Sequence, residues 1–205
     1  MSKTIPFLAL GDSYTIGECV DEKERWPTLL AELLIEKGIQ LGEPHIIATT
    51  GWRTDELKGA IEKEQPSNDF GLVSLSIGVN NQYQNKSVES YKPEFEELLN
   101  IALDKAGGNN ERVMVLSIPD YGFTPIGEGK QSTISHELEL YNKANKAVAK
   151  KYGVWYFDIT PSSTKGLEDP TLVTSDNLHP SGKLYKIWVD IILSNHSFVN
   201  QFKNK

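Results

Sequence analysis

Five short apolar runs, at residues 5–10, 45–50, 72–77, 113–118 and 154–159, punctuate this chain. Between them lie longer stretches whose apolar residues recur at helical spacing: Leu29, Leu30, Leu33 and Leu34 after the first, and Leu57, Ala60 and Ile61 after the second. The third is followed by Tyr91, Phe95, Leu98, Leu99 and Ala102, the fourth by Ile134, Leu138, Tyr141, Ala144 and Val148, the fifth by Leu184, Ile187, Trp188, Ile191 and Ile192. Runs too short for a buried helix, alternating with 3.6-period segments, predict strands joined by helical crossovers. That alternation specifies an α/β class with a parallel sheet. At 205 residues, 39% of them hydrophobic, the chain fits one domain spanning 1–205. The expected architecture is a flavodoxin-like three-layer α/β/α domain, with about five strands in the order 2-1-3-4-5.

Local punctuation agrees with this reading. Pro27 suits a first helical turn, and Gly38 and Gly107-Gly108 suit helix stops. Thr54 is the expected cap of a short helix carrying Leu57, Ala60 and Ile61, and Ser87 precedes a long one. Residues 119–131 and 160–177 read as long polar loops, and residues from Asn195 onward as a tail.

Right-handed crossovers put every strand's C-terminal end on one edge of the sheet. Ser13 follows the first strand, Gly51 the second and Asn80 the third. In the expected order the first strand lies between the other two, so these three loops meet at the topological switch point, where open α/β sheets bind ligands.

A serine hydroxyl becomes a useful nucleophile only when a base takes its proton, so Ser13 needs a histidine. His45 is expected at the wrong end of the second strand, His136 inside a helix and His196 in the tail. His179 sits in a loop before the last helix, with Asp176 three residues upstream and Pro180 directly after. Asp-x-x-His in a turn lets the carboxylate orient one ring nitrogen and leaves the other for Ser13. Gly51 and Asn80, with the Ser13 N–H, are candidate oxyanion donors. Each residue alone also fits an ordinary turn or cap, and Asp12 reads as a loop-holding acid.

Taken together, Gly11-Asp12-Ser13-Tyr14-Thr15, Gly51, Gly78-Val79-Asn80-Asn81 and Asp176-Asn177-Leu178-His179-Pro180 resemble, in order and spacing, the motif blocks of the SGNH (GDSL-type) hydrolase superfamily. The resemblance implies a serine esterase that acts through an acyl-enzyme on Ser13. His179 and Asp176 complete its triad, Ser13, Gly51 and Asn80 make its oxyanion hole, and no metal or organic cofactor takes part. The family's third block usually reads Gly-x-Asn-Asp, so Asn81 is a departure. Members include carboxylesterases, lysophospholipases, thioesterases and carbohydrate deacetylases. Trp52, Tyr83, Tyr121 and Phe123 are candidate pocket residues for a small-molecule ester. A flavodoxin-like FMN carrier, holding phosphate on Ser13, Tyr14 and Thr15, is the non-enzyme alternative.

A net charge of −7 argues against a nucleic-acid partner, which calls for a basic footprint. The single cysteine, Cys19, excludes an intrachain disulfide and reads as a loop thiol. No stretch approaches the ~20 apolar residues of a membrane span, and no secretory leader precedes the first strand, so a cytoplasmic location is expected.

Overall fold

The computed structural model describes residues 4–203. β1 (Ile5–Gly11) leads through the single-turn α1 (Ser13–Ile16) to α2 (Trp26–Glu36), β2 (Leu41–Ala48) and α3 (Thr54–Glu64). β3 (Leu72–Ser76) is followed by the short α4 (Val79–Tyr83) and by α5 (Val88–Lys105). β4 (Val113–Leu116), α6 (Gln131–Tyr152) and β5 (Trp155–Phe157) come next, then α7 (Thr160–Ser163), α8 (Gly182–Ser194) and α9 (His196–Asn200). The sheet is parallel throughout, ordered β2-β1-β3-β4-β5. α2 and α8 pack together on one face, and α3, α5 and α6 form the other layer.

β1 is central because its side chains suit burial on both faces: Leu8, Ala9 and Leu10 are fully buried. Each such leucine contributes roughly 1.5–3 kcal/mol relative to exposure. β2 corrects the expected boundary. It starts at Leu41, and His45 lies within it, opposite Leu8. Between Ile5 and Phe7 the register slips by one residue, a bulge in β2 at the Gly42-Glu43-Pro44 stretch. Only an edge strand tolerates that proline and that bulge, which is why this stretch does not read as a strand.

The supposed tail is also corrected. Asn195 caps α9 through the Phe198 N–H, and Phe198 is fully buried against Trp155 and Phe157. Thr54 proves to be the first residue of α3 and not its cap. The two polar loops carry short helical turns at Tyr121–Phe123, Thr160–Ser163 and Pro170–Leu172.

Candidate active site

β1 delivers Ser13 through a tight exit. A Cβ on Gly11 would lie 2.1 Å from Thr15 Oγ1 and 2.6 Å from the Ser76 carbonyl, so only glycine allows the chain to turn there. Asp12 caps α1, its Oδ1 accepting the Tyr14 N–H at 3.0 Å. Complete burial pushes the Asp12 carboxyl up to about 7, although backbone N–H groups of Tyr14 and Gly78 favour its ionised form. Ser13 is the first residue of α1, so its own N–H has no intrahelical acceptor. Its hydroxyl has no hydrogen-bond partner among the described residues.

His179 is held by its own loop. Thr174 N–H donates to the His179 carbonyl at 2.8 Å, Ser181 N–H to that of Leu172 at 2.9 Å, and Val173 bridges Pro180. Asp176 organises the turn: Oδ1 accepts the N–H groups of Leu178 (2.9 Å) and His179 (3.0 Å) and the Thr174 hydroxyl (2.6 Å). Its Oδ2 meets His179 Nδ1 at 2.5 Å. Burial opposes the charge on Asp176, but these donors outweigh it and hold the carboxyl well below the usual range. His179 is only 8% exposed, and its imidazole stands edge-on to Tyr14, with ring centroids 5.7 Å apart. A cysteine that sequence spacing could not connect also reaches this carboxylate: Cys19 Sγ lies 3.4 Å from Asp176 Oδ2.

Gly51 adopts φ +86°, and a Cβ there would meet nothing within 4 Å, so conformation alone calls for glycine. Its N–H donates to no acceptor among the described residues. Asn80, in α4, donates one Nδ2 hydrogen to the Trp52 carbonyl at 2.9 Å, which ties the Gly51-Trp52 turn to α4 and leaves the second hydrogen available.

Ser13, Asn80 and His179 line one cavity of about 200 Å³, together with Tyr14, Val79, Tyr83, Tyr121 and Leu178. Of the four aromatic candidates, Tyr83 and Tyr121 lie on this wall, edge to face at 6.2 Å. Trp52 packs partly against the core, and neither it nor Phe123 lines the cavity. Sequence reasoning does not single out Tyr14 and Leu178 as pocket residues, although each is the immediate neighbour of a candidate catalytic residue. Of the three residues suggested for an FMN phosphate, Ser13 and Tyr14 line the cavity, whereas Thr15 is fully buried and does not. Among the described residues no cluster of three or more His, Cys, Asp or Glu side chains is arranged to hold a metal ion, and no helix is long and apolar enough to cross a membrane.

The parallel sheet thus brings Ser13, Asn80 and the Asp176-paired His179 to one cavity. The chain belongs to the GDSL-like lipase/acylhydrolase family, whose model matches residues 9–187. No curated protein sequence matches it. Among solved structures it is similar to phospholipase A1 from Streptomyces albidoflavus NA297, with TM-score 0.73 and 20% identity over 94% of this chain and 99% of that one. The lipase/acylhydrolase from Enterococcus faecalis gives TM-score 0.70 and 20% identity over 98% and 99%. Axe2, an acetylxylan esterase from Geobacillus stearothermophilus, gives 0.66 and 18% over 94% of each chain. At these identities the likeness is one of fold.

Proposed function

We propose that this chain is a serine esterase that hydrolyses small carboxylic esters through an acyl-enzyme on Ser13. The observation that carries this reading is the shared cavity: Ser13 and His179 line it together, and Asp176 Oδ2 holds the ring's other nitrogen. With Nδ1–H given to Asp176, Nε2 is free to take the Ser13 proton as Oγ attacks the ester carbonyl. The Ser13 and Gly51 N–H groups and Asn80 Nδ2 are the donors for the oxyanion. The proton on His179 then goes to the leaving alkoxide, which departs as the alcohol. Water, deprotonated by the same histidine, releases the carboxylic acid and restores Ser13. The looseness of Ser13 Oγ is no obstacle, since catalytic hydrogen bonds often tighten only when substrate is bound.

A cavity this small, walled by Tyr83, Tyr121, Val79 and Leu178, favours a short acyl group over a long fatty chain. This lean separates a short-chain esterase or deacetylase, the activity named for the Geobacillus relative, from a lysophospholipase or long-chain thioesterase. The test is turnover of p-nitrophenyl esters of increasing acyl length, together with mass analysis after treatment with an alkyl fluorophosphonate. The expected result is highest kcat/KM on acetyl or butyryl esters, one adduct on Ser13, and a loss of about 10³-fold or more in Ser13→Ala. Turnover undiminished in Ser13→Ala overturns the assignment.

A further inference from the structure

Asn81, next to Asn80, is fully buried in the described structure, and Thr54 is nearly so. Asn81 Oδ1 accepts the Thr54 N–H at 3.1 Å, supplying from α4 an acceptor for the first turn of α3 beside the one its own Glu56 gives the Arg53 N–H. Asn81 Nδ2 donates to Thr54 Oγ1 at 2.7 Å and lies 3.4 Å from Glu94 Oε2, and the Thr54 hydroxyl donates to the same carboxylate. Every donor and acceptor here is directional. The amide nitrogen gives to the hydroxyl, the hydroxyl gives to Glu94, and the amide oxygen takes the start of α3. Only a side chain that both accepts and donates fits position 81. A carboxylate there would set a second negative charge within about 3.4 Å of Glu94 with no proton between them, and the repulsion would draw it off the Thr54 N–H. The charge of neighbouring Arg53 reaches Glu94, but its guanidinium hydrogen-bonds Asp55 and Gln84 and donates to neither Glu94 nor Asn81.

We propose that Asn81, Thr54 and Glu94 form a positioning clamp for the oxyanion donors, and that the carboxylate at 94 dictates the amide at 81. The clamp lies two residues beyond Trp52, whose carbonyl holds Asn80 Nδ2, so adjacent asparagines fasten the segment after Gly51 at two points. Glu94 anchors the same unit to α5. The clamp acts through Gly51 and Asn80 and touches no substrate. Its effect on turnover rests on the esterase reading above.

The test compares Asn81→Asp with Asn81→Asp/Glu94→Gln, reading kcat and KM on p-nitrophenyl acetate and hydrogen exchange at the Thr54 amide. Asn81→Asp is expected to lower kcat ~10-fold or more with KM changed about twofold or less, as for a transition-state donor that has lost its aim. It should also speed Thr54 exchange. Glu94→Gln in the same chain restores a donor opposite the introduced carboxylate and should recover most of both. A wild-type kcat in Asn81→Asp, or a loss that Glu94→Gln fails to reverse in a folded double variant, overturns the proposal. If the wild type itself lacks Ser13-dependent turnover, the esterase reading falls, and Thr54 exchange alone judges the clamp: unchanged exchange in Asn81→Asp overturns it. Should Asn81→Asp not fold, Thr54→Val against Thr54→Ser poses the same question. Valine should lose kcat and serine retain it, and equal kcat values overturn the clamp.

Discussion

His179 Nδ1 lies 2.5 Å from Asp176 Oδ2, while the other oxygen of that carboxylate takes the backbone N–H of the same histidine at 3.0 Å. One acid therefore fixes both the ring and the loop that carries it. Asp176→Asn separates the two jobs. The amide oxygen can still accept the backbone N–H groups, but its nitrogen would face Nδ1 as a donor and favour the wrong tautomer. Activity should fall about 10²–10⁴-fold while the fold survives. The Asp176 carboxyl is held below its ordinary range, so its ionised form contributes stability above pH ~4 that is lost as pH falls. The melting-temperature gap between wild type and Asp176→Asn should be widest near neutrality and close in acid. A gap that widens on acidification contradicts this account.

Asp12 carries the opposite sign. Its carboxyl is raised to about 7 by burial, against ~3.9 in an unfolded chain, so the folded state binds the extra proton between those values. Stability should therefore decline as pH rises from about 4 to 7, by up to about 4 kcal/mol at full ionisation. Asp12→Asn keeps an oxygen for the Tyr14 N–H and removes the titration. Its melting temperature should gain on wild type steadily from pH ~4.5 to ~8; parallel curves would show that Asp12 ionises normally.

At Gly51, shape and conformation can be told apart. Alanine there meets open space, so any loss comes from φ +86° alone. Gly51→Ala should cost about 1–2 kcal/mol of stability and reduce kcat as its N–H swings away. Gly51→Asn, which tolerates the left-handed region better, should lose less of both. Equal melting temperatures for wild type and Gly51→Ala would mean the backbone relaxes freely.

How far the sequence reaches is clear from particular elements. The strand order follows from βα alternation and handedness, and Leu8 to Leu10 announce a central strand by being apolar without interruption. The start of β2 escapes sequence reasoning because an edge strand admits Gly42 and Pro44, which break the pattern that defines a buried strand. α9 escapes it because five residues, His196–Asn200, carry too little period, although Phe198 fills the core. Asp176 and His179 are legible because their partnership is local. The Asn81 cap on Thr54 is not, because it spans 27 residues and local capping rules see only a helix's own flank.

The contact between Cys19 and Asp176 spans 157 residues and leads to the last prediction. Cys19 is exposed, holds φ +63°, and directs its sulfur at the oxygen that also meets His179. Partial desolvation, then the hydrogen bond to Asp176 and its charge, raise the thiol pKa, so less of the reactive thiolate is present than in a free cysteine. Iodoacetamide at pH ~8 should therefore alkylate Cys19 several-fold more slowly than it does glutathione, despite the exposure. Asp176→Asn removes the charge and should accelerate the reaction. Alkylation also inserts a bulky group beside the carboxylate, so the proposed turnover of p-nitrophenyl acetate should fall in step with modification, and Cys19→Ala should be immune to the reagent. Alkylation at the glutathione rate, unaltered by Asp176→Asn, would mean that the thiol does not sense the carboxylate. Inactivation of Cys19→Ala at the wild-type rate would place the reagent's target elsewhere.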